Sequence, residues 1–402
     1  MKRGIYKIKN AVYFQSGGPT SVINSSFYGV IVACQEDERI DKLYGARYGL
    51  EGLLNKDLVL IDEPYQKYEE LTTLSGAILG SARLLLPSSF EEEAYRKVLD
   101  CVKKYNIGYI FVNGGNDSMD TADKLNRYFK SINYDCLVVG IPKTIDNDLL
   151  NMDHAPGYGS CVKFITRTLM ELSLDINAYK KGRVTIIETM GRDTGWLAAS
   201  SSLANEFNLG PDLIYVPEVP FSKEKFYEDI KRIYKEKGRV IVVVAEALKD
   251  KDGNYVASDN NLDSFGHVQL GAISKLLADQ VKKDLGINTR NVELSLVQRC
   301  ASHIASSIDV KEAIEVGKHA VKFALEGKDG VVTIQRISSS PYKVEYVLGD
   351  LMKVANGIKY LPRNYINEEG NGVSKEFLDY ARPFIDEDEI KITLGNKFIQ
   401  KK

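Results

Sequence analysis

Short runs of apolar residues recur along the first 246 residues, and each run ends in a polar or glycine-rich turn. These runs lack the alternation of a strand with one solvated face. They therefore predict strands that are buried on both faces, as in a parallel sheet. The runs are AVYFQ (11–15), IGYIFV (107–112), CLVVGI (136–141), VTIIE (184–188) and VIVVVAE (240–246).

A second pattern, with helical spacing, lies between the third and fourth runs. There, apolar residues recur every three or four positions, which predicts an amphipathic helix; they are Val162, Ile165, Leu169, Leu172 and Ile176. Strands that alternate with helices predict an open α/β sheet, in which ligands bind beyond the carboxyl ends of the strands. The polar turns follow the predicted strands, so we expect them to converge at that edge. The tail from about residue 342 has a pattern of strands and loops.

Length, composition and charge limit the class of protein. The chain has 402 residues, is 44% hydrophobic and carries a formal net charge of -2. That length predicts two or three lobes, and the near-neutral charge gives no electrostatic reason to expect nucleic acid or a membrane surface as a partner. No segment reaches the roughly 18 consecutive apolar residues of a membrane span. The basic start lacks the apolar region of a secretory signal, so we expect a cytoplasmic protein.

The five cysteines and four histidines are scattered along the chain. The cysteines form no CxxC pair and no zinc-binding spacing, which predicts free thiols in a large core that needs no disulfides. Without an HExxH motif or a histidine cluster, a histidine metal site or a Ser-His-Asp triad is disfavoured.

Two glycine-rich turns, SGGPTSVIN (16–24) and NGGNDS (113–118), lie between a predicted strand and a helical stretch. The backbone N–H groups of such turns can converge on an anion, and the dipole of a helix N terminus strengthens this. Each turn alone is explained equally well as a tight connection from strand to helix.

The segment PKTIDND (142–148) places Asp146 and Asp148 two residues apart. If the segment is extended, both carboxylates face the same side of the chain. One could then act as a base toward a hydroxyl group while the other binds metal or orients a group. The alternative is a solvated acidic turn.

Arginine is well suited to bidentate binding of phosphate, although a single arginine is more often a surface residue. The candidates are Arg83, Arg183, Arg192, Arg290 and Arg299. Together with two glycine turns and two carboxylates, they indicate phosphoryl transfer. The P-loop pattern GxxxxGK[ST] and the HRD and DFG motifs are absent, which excludes P-loop kinases and protein kinases.

These motifs resemble those of the phosphofructokinase superfamily. GSAR (80–83), GGNDS (114–118), PKTIDND and MGR (190–192) occur in the family's order, and AE (245–246) and QR (298–299) follow them. The resemblance spans roughly residues 11 to 300. The lysine of PKTIDND and the segment DHAPGYGS (153–160) resemble the pyrophosphate-dependent branch of the family.

The resemblance implies an α/β fold of two Rossmann-like lobes with mostly parallel sheets and an active site in the cleft between them. Residues 1–157 with 299–341 would form the larger lobe, on the donor side. Residues 158–298 would form the smaller lobe, on the sugar-phosphate side, and 342–402 a C-terminal extension. The implied reaction moves a phosphoryl group reversibly from pyrophosphate to the 1-hydroxyl of fructose 6-phosphate, giving fructose 1,6-bisphosphate for glycolysis or gluconeogenesis.

The resemblance also assigns residue roles. Asp146 would take the proton of the 1-hydroxyl, and Lys143 would offset the charge of pyrophosphate. Substrate and the transferring group would be held by Thr144, Ile145 and Asp148. The sugar phosphate would contact Met190, Gly191, Arg192 and Glu246, with Arg290 and Arg299 clamping its 6-phosphate. The donor phosphates would be lined by Gly18, Arg83, Gly114 and Gly115. Arg183 would reach into a neighbouring subunit's site, which implies a homodimer or homotetramer.

Asp117 raises a question, because a carboxylate repels phosphate. By the family pattern it stands where ATP-dependent enzymes have glycine, near the α-phosphate of ATP. Two like charges about 4 Å apart repel by about 4 kcal/mol at an effective dielectric near 20. The resemblance therefore implies that Asp117 excludes ATP and leaves pyrophosphate as the donor.

Three departures from the family pattern stand out. Asn116 replaces the usual magnesium-ligating aspartate, although its oxygen can still bind Mg²⁺, which needs few protein ligands. Leu296 replaces a histidine or tyrosine, which removes one contact to the sugar phosphate. Pro19 and Thr20 lie in a turn that lacks the aspartate of the commoner GGDxPGxN.

Other functions are consistent with parts of this pattern. ATP is the alternative donor, which Asp117 and Lys143 disfavour. Another sugar phosphate, such as sedoheptulose 7-phosphate, is an alternative acceptor that nothing in the sequence separates. A non-catalytic regulatory subunit that binds sugar phosphate is disfavoured, because it has no use for a base at Asp146.

Overall fold

The computed structural model of the chain describes residues 8–179, 181–262, 268–270, 272–355 and 357–390. Its strands, in chain order, are β1 (Lys9–Gln15), β2 (Ile40–Ala46), β3 (Leu58–Ile61), β4 (Ile107–Gly114), β5 (Leu137–Pro142), β6 (Val184–Thr189), β7 (Leu213–Tyr215), β8 (Val240–Ala245), β9 (Ser258–Leu262), β10 (Val268–Leu270), β11 (Thr289–Glu293), β12 (Gly330–Ser339) and β13 (Tyr342–Gly349).

The α-helices are α1 (Ile23–Gln35), α2 (Leu50–Asn55), α3 (Glu93–Lys104), α4 (Asn116–Ser131), α5 (Tyr158–Asn177), α6 (Trp196–Ser200), α7 (Lys223–Lys237), α8 (Ile273–Leu285), α9 (Val297–Cys300), α10 (Ser307–Leu325), α11 (Leu351–Ala355), α12 (Lys375–Ala381) and α13 (Glu387–Ile390). Short 3-10 helices cover Tyr65–Thr72, Ser201–Phe207, Ser302–Ile304, Arg363–Tyr365 and Arg382–Ile385.

The chain divides into two compact units. The first contains the described residues of Met1–Cys161, Leu262–His267 and Arg299–Lys359, and the second contains those of Val162–Asn261, Val268–Gln298 and Tyr360–Lys402. The division into three parts that we drew from the sequence stays a prediction.

The first unit is built on a seven-stranded sheet in the order β13-β12-β5-β4-β1-β2-β3. The neighbours from β12 to β2 run parallel, and β13 and β3 pair antiparallel at the two edges. Side chains of β1 alternate between two apolar cores: Val12 and Phe14 join α3 and α4, whereas Ala11 and Tyr13 join α1 and α10. This burial on both faces explains why the runs show no alternation.

The second unit is built on a parallel four-stranded sheet in the order β11-β6-β8-β7. The runs VTIIE and VIVVVAE form its β6 and β8, and every residue of β8 is buried. The helix predicted within residues 161–176 is α5, which buries Val162, Ile165, Leu169 and Ile176. The predicted α/β fold with mostly parallel sheets is confirmed.

The tail differs in part from the predicted strands and loops. Residues 342–349 form a strand, but α11, α12 and α13 follow it. The hydroxyl of Ser374 accepts the N–H of Phe377 and caps α12, while Phe377, Tyr380 and Phe384 are buried. Such short helices are set by packing and capping rather than by a long apolar period. Residues 391–402 of that predicted tail lie outside the described residues. None of the described helices is long and apolar enough to cross a membrane.

Candidate active site

Three predicted turns lie side by side in the first unit, because β5, β4 and β1 are neighbours in the sheet. Each turn follows the carboxyl end of its strand. The N–H of Ser16 donates to the carbonyl of Asn113 at 2.9 Å, and the N–H of Lys143 donates to the carbonyl of Gly114 at 2.9 Å. The predicted convergence of the turns after β1, β4 and β5 is therefore present.

The glycines of these turns allow other groups to approach the backbone closely. A Cβ on Gly18 would lie 2.5 Å from Nη1 of Arg299, and one on Gly114 would lie 2.0 Å from Oγ of Ser118. Gly115 precedes α4 directly, so the turn leads into a helix N terminus. The geometry combines open backbone with the positive end of a helix dipole, which suits an anion.

Lys143 is buried within this group of turns, with 3% of its surface exposed. Its Nζ donates to the carbonyl of Gly18 at 2.6 Å. Among the described residues, no carboxylate lies within salt-bridge distance of Lys143. An ammonium has three donors, so Lys143 can still donate to an anionic ligand.

Burial lowers the pKa of Lys143 to about 8, a shift that Asp146 opposes and the charges of Arg299 and Arg83 reinforce. Burial and the charge of Arg83 likewise lower the pKa of Arg299, and Asp146 opposes that shift. Lys143 and Arg299 lie against the same turn, because a Cβ on Gly17 would lie 3.4 Å from Nζ of Lys143 and one on Gly18 would lie 2.5 Å from Nη1 of Arg299. Such a concentration of positive charge favours a highly charged anion such as a di- or polyphosphate.

The PKTIDND segment is bent and not extended, so the condition under which both carboxylates were expected to face one side of the chain is not met. The hydroxyl of Thr144 accepts the N–H of Asp146 at 3.1 Å, and Asn147 adopts φ +55. This left-handed residue lies between the two carboxylates and changes the direction of the chain there. Ile145 is buried and anchors the bend. Asp148 accepts a hydrogen bond from Nδ2 of Asn116 at 2.9 Å.

Asn116 provides an oxygen that fits a metal ion. Its Oδ1 is buried and, among the described residues, accepts no hydrogen bond. Its Nδ2 donates to Oδ2 of Asp148 at 2.9 Å, which places the amide group beside that carboxylate. The described residues contain no cluster of three His, Cys, Asp or Glu side chains that could hold a metal. This donor set suits Mg²⁺, which needs one or two carboxylates and takes its other ligands from water and phosphate.

Asp117 lies in the first turn of α4, one residue beyond Asn116, and its side chain is partly exposed. A carboxylate there also stabilises the helix through its dipole. Its position at the end of the turn that follows β4 is the one that the sequence assigned to donor selection.

The second unit carries the MGR loop at the carboxyl end of β6. Oε1 of Glu246 accepts the N–H of Gly191 at 3.1 Å and that of Arg192 at 2.9 Å. Burial raises the pKa of Glu246, and the hydrogen bonds from the two amides oppose this shift. Oε1 of Gln298 accepts the N–H of Met190 at 3.2 Å. Glu246, which the resemblance assigned to the sugar, thus also braces this loop.

Two residues make contacts to this loop that could not be predicted from the sequence. Gln298 precedes Arg299 in the QR motif, and its role is visible only from the contact to Met190. Asp193 accepts hydrogen bonds from Nζ of Lys249 at 2.5 Å and from the hydroxyl of Tyr255 at 2.8 Å. These contacts fix the residue next to Arg192.

Arg183 and Arg290 lie at the opposite end of the second sheet. Arg183 directly precedes β6, and Arg290 pairs with Thr185 near the beginning of that strand. β6 has six residues, so about 20 Å of strand separates Arg183 from Met190 at about 3.3 Å per residue. The structure therefore does not bring these two arginines to the MGR loop of the same chain. Arg299 lies in the first unit, against Gly18.

The three departures from the family pattern also have structural positions. Leu296 is 55% exposed and follows Ser295, which adopts φ +42. Thr20 is buried, and its hydroxyl accepts the N–H of Val22 at 3.4 Å, so it supports the turn from inside. Asn116 is the first residue of α4, and its Nδ2 donates to Oδ2 of Asp148 at 2.9 Å.

Known proteins with similar sequences identify the family to which this fold belongs. The family model described as Phosphofructokinase matches residues 10–324. The chain is 36% identical over 383 residues to pyrophosphate–fructose 6-phosphate 1-phosphotransferase of Halomonas elongata, covering 94% of this chain and 91% of the relative. It is 33% identical to sulfofructose kinase of Alkalicoccus urumqiensis, covering 88% of this chain and 91% of the relative.

A solved structure agrees with these relatives. The pyrophosphate-dependent phosphofructokinase of Nitrosospira multiformis superposes with a TM-score of 0.85 at 35% identity, covering 94% of this chain and 92% of the other. The resemblance that the GGNDS, PKTIDND and MGR motifs suggested is confirmed, and the chain belongs to the phosphofructokinase family.

Proposed function

We propose that this chain transfers a phosphoryl group from pyrophosphate to the 1-hydroxyl of fructose 6-phosphate. The observation that carries the proposal is Lys143, a buried ammonium bonded to Gly18 with donors left for an anion, on the same loop as Asp146. The printed names of relatives at 36% and 37% identity support the same donor and acceptor.

The residues divide the chemistry between them. Asp146 accepts the proton of the 1-hydroxyl while that oxygen attacks phosphorus, and the bond to the bridging oxygen of pyrophosphate breaks. The departing phosphate takes the bonding electrons, and Lys143 stabilises its charge. The turn at Gly114 and Gly115, with the N terminus of α4, holds the donor's other oxygens.

Mg²⁺ fits this reaction as a cofactor. Asn116 and Asp148 would hold it, because one presents a buried oxygen and the other a carboxylate bonded to that same side chain. A bound metal would neutralise phosphate charge as the phosphoryl group moves.

The proposed activity is tested by incubating the purified chain with fructose 6-phosphate, pyrophosphate and Mg²⁺ and measuring fructose 1,6-bisphosphate. We expect a product that requires all three additions. Sedoheptulose 7-phosphate and sulfofructose are offered in parallel, because a relative acts on the latter according to its name. A higher kcat/KM with either of these sugars would identify that sugar as the acceptor in place of fructose 6-phosphate. No turnover with any donor would favour a regulatory subunit.

We expect the variant Asp117→Gly to use ATP detectably where the wild type does not. The change removes the repulsion between the Asp117 carboxylate and the α-phosphate of ATP, which is up to about 4 kcal/mol at about 4 Å and an effective dielectric near 20. Initial rates with both donors measure the effect, and Asp120→Gly, four residues from Asn116 on the same helix, controls for helix destabilisation. An unchanged donor preference in Asp117→Gly would show that this carboxylate does not select the donor.

We also propose that Arg183 and Arg290 bind the sugar's 6-phosphate in the site of a neighbouring copy of the chain. They share the amino-terminal end of the second sheet, away from the MGR loop of their own chain. A homodimer or homotetramer is therefore part of the proposal.

Mixing Arg183→Ala with Asp146→Asn chains should restore activity that neither variant has alone. In a mixed dimer, one site combines the intact Asp146 of one chain with the intact Arg183 of the other, and the second site carries both substitutions. Subunit exchange is verified by mass spectrometry of the mixed oligomers. Exchange without any recovery of turnover would contradict the shared site.

A further inference from the structure

A lysine beyond the matched family region contacts the loop that carries Asp146 and Asp148. Lys359 follows α11, 35 positions after the family match ends at residue 324. Its Nζ donates to Oδ1 of Asn147 at 3.0 Å and to the carbonyls of Met152 at 3.2 Å and Asp153 at 2.7 Å. Its backbone N–H donates to the carbonyl of Asp148 at 2.8 Å.

The three donors of an ammonium are thus all directed at protein acceptors. Lys143, in the same unit, shows the opposite arrangement, because Gly18 is its acceptor among the described residues. Lys359 therefore has no N–H directed at a substrate phosphate. Its chemistry is to hold backbone and side-chain oxygens of one turn together through three hydrogen bonds.

The side chain that Lys359 contacts belongs to the left-handed residue of the loop. Asn147 adopts φ +55, and Asp146 and Asp148 stand on either side of it. Left-handed backbone costs energy for residues other than glycine, although asparagine tolerates it best. The bond from Lys359 to the Asn147 side chain holds the residue that lies between the two carboxylates.

Other residues, besides Lys359, also hold the far end of the same turn. Nδ1 of His154 lies 2.8 Å from Asp153, and its Nε2 lies 2.6 Å from Glu312 of α10. Arg336 of β12 also pairs with Asp153, at 3.0 Å. Burial lowers the pKa of His154, but the two carboxylates raise it to about 9, so the imidazolium persists at neutral pH. Loss of Lys359 should therefore loosen residues 147–152 without unfolding the unit.

We propose that Lys359 is a positioning residue for phosphoryl transfer, which sets the placement of Asp146 and Asp148 through Asn147 and the carbonyls of the turn. The inference rests on the proposed function for its catalytic consequence. It adds to the active site a residue from a segment that the family model does not cover.

Lys359→Ala should lower kcat by about 10- to 100-fold and leave the KM for both substrates nearly unchanged, because a misplacement of about 1 Å can cost about 10²-fold. Propylammonium should restore part of the kcat of Lys359→Ala and none of that of Asp146→Asn. Lys163→Ala is the matched control. Lys163 is a buried lysine bonded to Asp386 and Glu389 of the second unit, and its loss should lower Tm without lowering kcat.

Hydrogen–deuterium exchange gives a readout that does not depend on the reaction. Residues 144–152 should exchange faster in Lys359→Ala than in the wild type, while α10 and β12 keep their protection. A wild-type chain with no transferase activity would remove the proposed function, but this exchange result would still decide the role of Lys359. Unchanged exchange in that loop, or a full kcat in Lys359→Ala, would overturn the inference.

Discussion

Replacing Asp146 with asparagine should lower kcat by about 10²–10⁴-fold, the usual contribution of a positioned general base. Asparagine keeps the size of the side chain and cannot take the proton of the 1-hydroxyl. Because the bend at Thr144 and Asn147 is made by other groups, the loop should keep its shape. Steady-state kinetics with pyrophosphate measure the loss.

Binding separates a lost base from a damaged site. Isothermal titration with fructose 6-phosphate should give a Kd close to that of the wild type for Asp146→Asn. Asp148→Asn is the informative companion, because its activity should recover in part at high Mg²⁺. A near-wild-type kcat for Asp146→Asn would remove Asp146 from the role of base.

Replacing Lys143 with methionine should lower kcat with pyrophosphate by about 10²–10³-fold, since one preorganised group that stabilises the charge of the departing phosphate is lost. Methionine fills the same buried space, and the carbonyl of Gly18 loses only one donor. The KM for fructose 6-phosphate should change little. If kcat falls equally but the KM for fructose 6-phosphate also rises strongly, Lys143 would instead contact the sugar phosphate.

The pKa of Lys143 also predicts a pH dependence with a definite sign. Burial lowers this pKa to about 8, so the free enzyme carries the cation below that pH and loses it above. The kcat/KM for pyrophosphate should therefore fall as pH rises through about 8. Lys143→Arg keeps its charge at every pH, so the ratio of its kcat/KM to that of the wild type should rise over the same range. A constant ratio would contradict the assignment.

The parallel core and three turns of the site could be predicted from the sequence. The runs that became β1, β4 and β5 are buried on both faces, and a parallel sheet brings their carboxyl ends together. Gly18 and Gly114 lie where other side chains approach the backbone closely, and PKTIDND forms the loop with the two carboxylates. Periodicity and turn chemistry are local properties, so one chain is enough to recognise them.

The rest depends on distant contacts that leave no local pattern. Lys359 lies 211 positions from Asp148, and no motif surrounds it. The family resemblance groups Arg290 with Arg299, whereas its register beside Thr185 puts Arg290 near the beginning of β6. The bend of PKTIDND depends on the left-handed Asn147, which an extended reading of spacing misses. A sequence shows the chemistry of each side chain, but the fold decides at which edge of the sheet that side chain lies.

The donor preference of the wild-type chain tests the central claim most directly. Fructose 1,6-bisphosphate formation is measured at saturating fructose 6-phosphate and Mg²⁺, with pyrophosphate or ATP varied, to obtain kcat/KM for each donor. Lys143 and Asp117 predict a preference for pyrophosphate of at least about 10²-fold, the contribution of one preorganised charge. Equal use of the two donors, or a preference for ATP, would contradict the account.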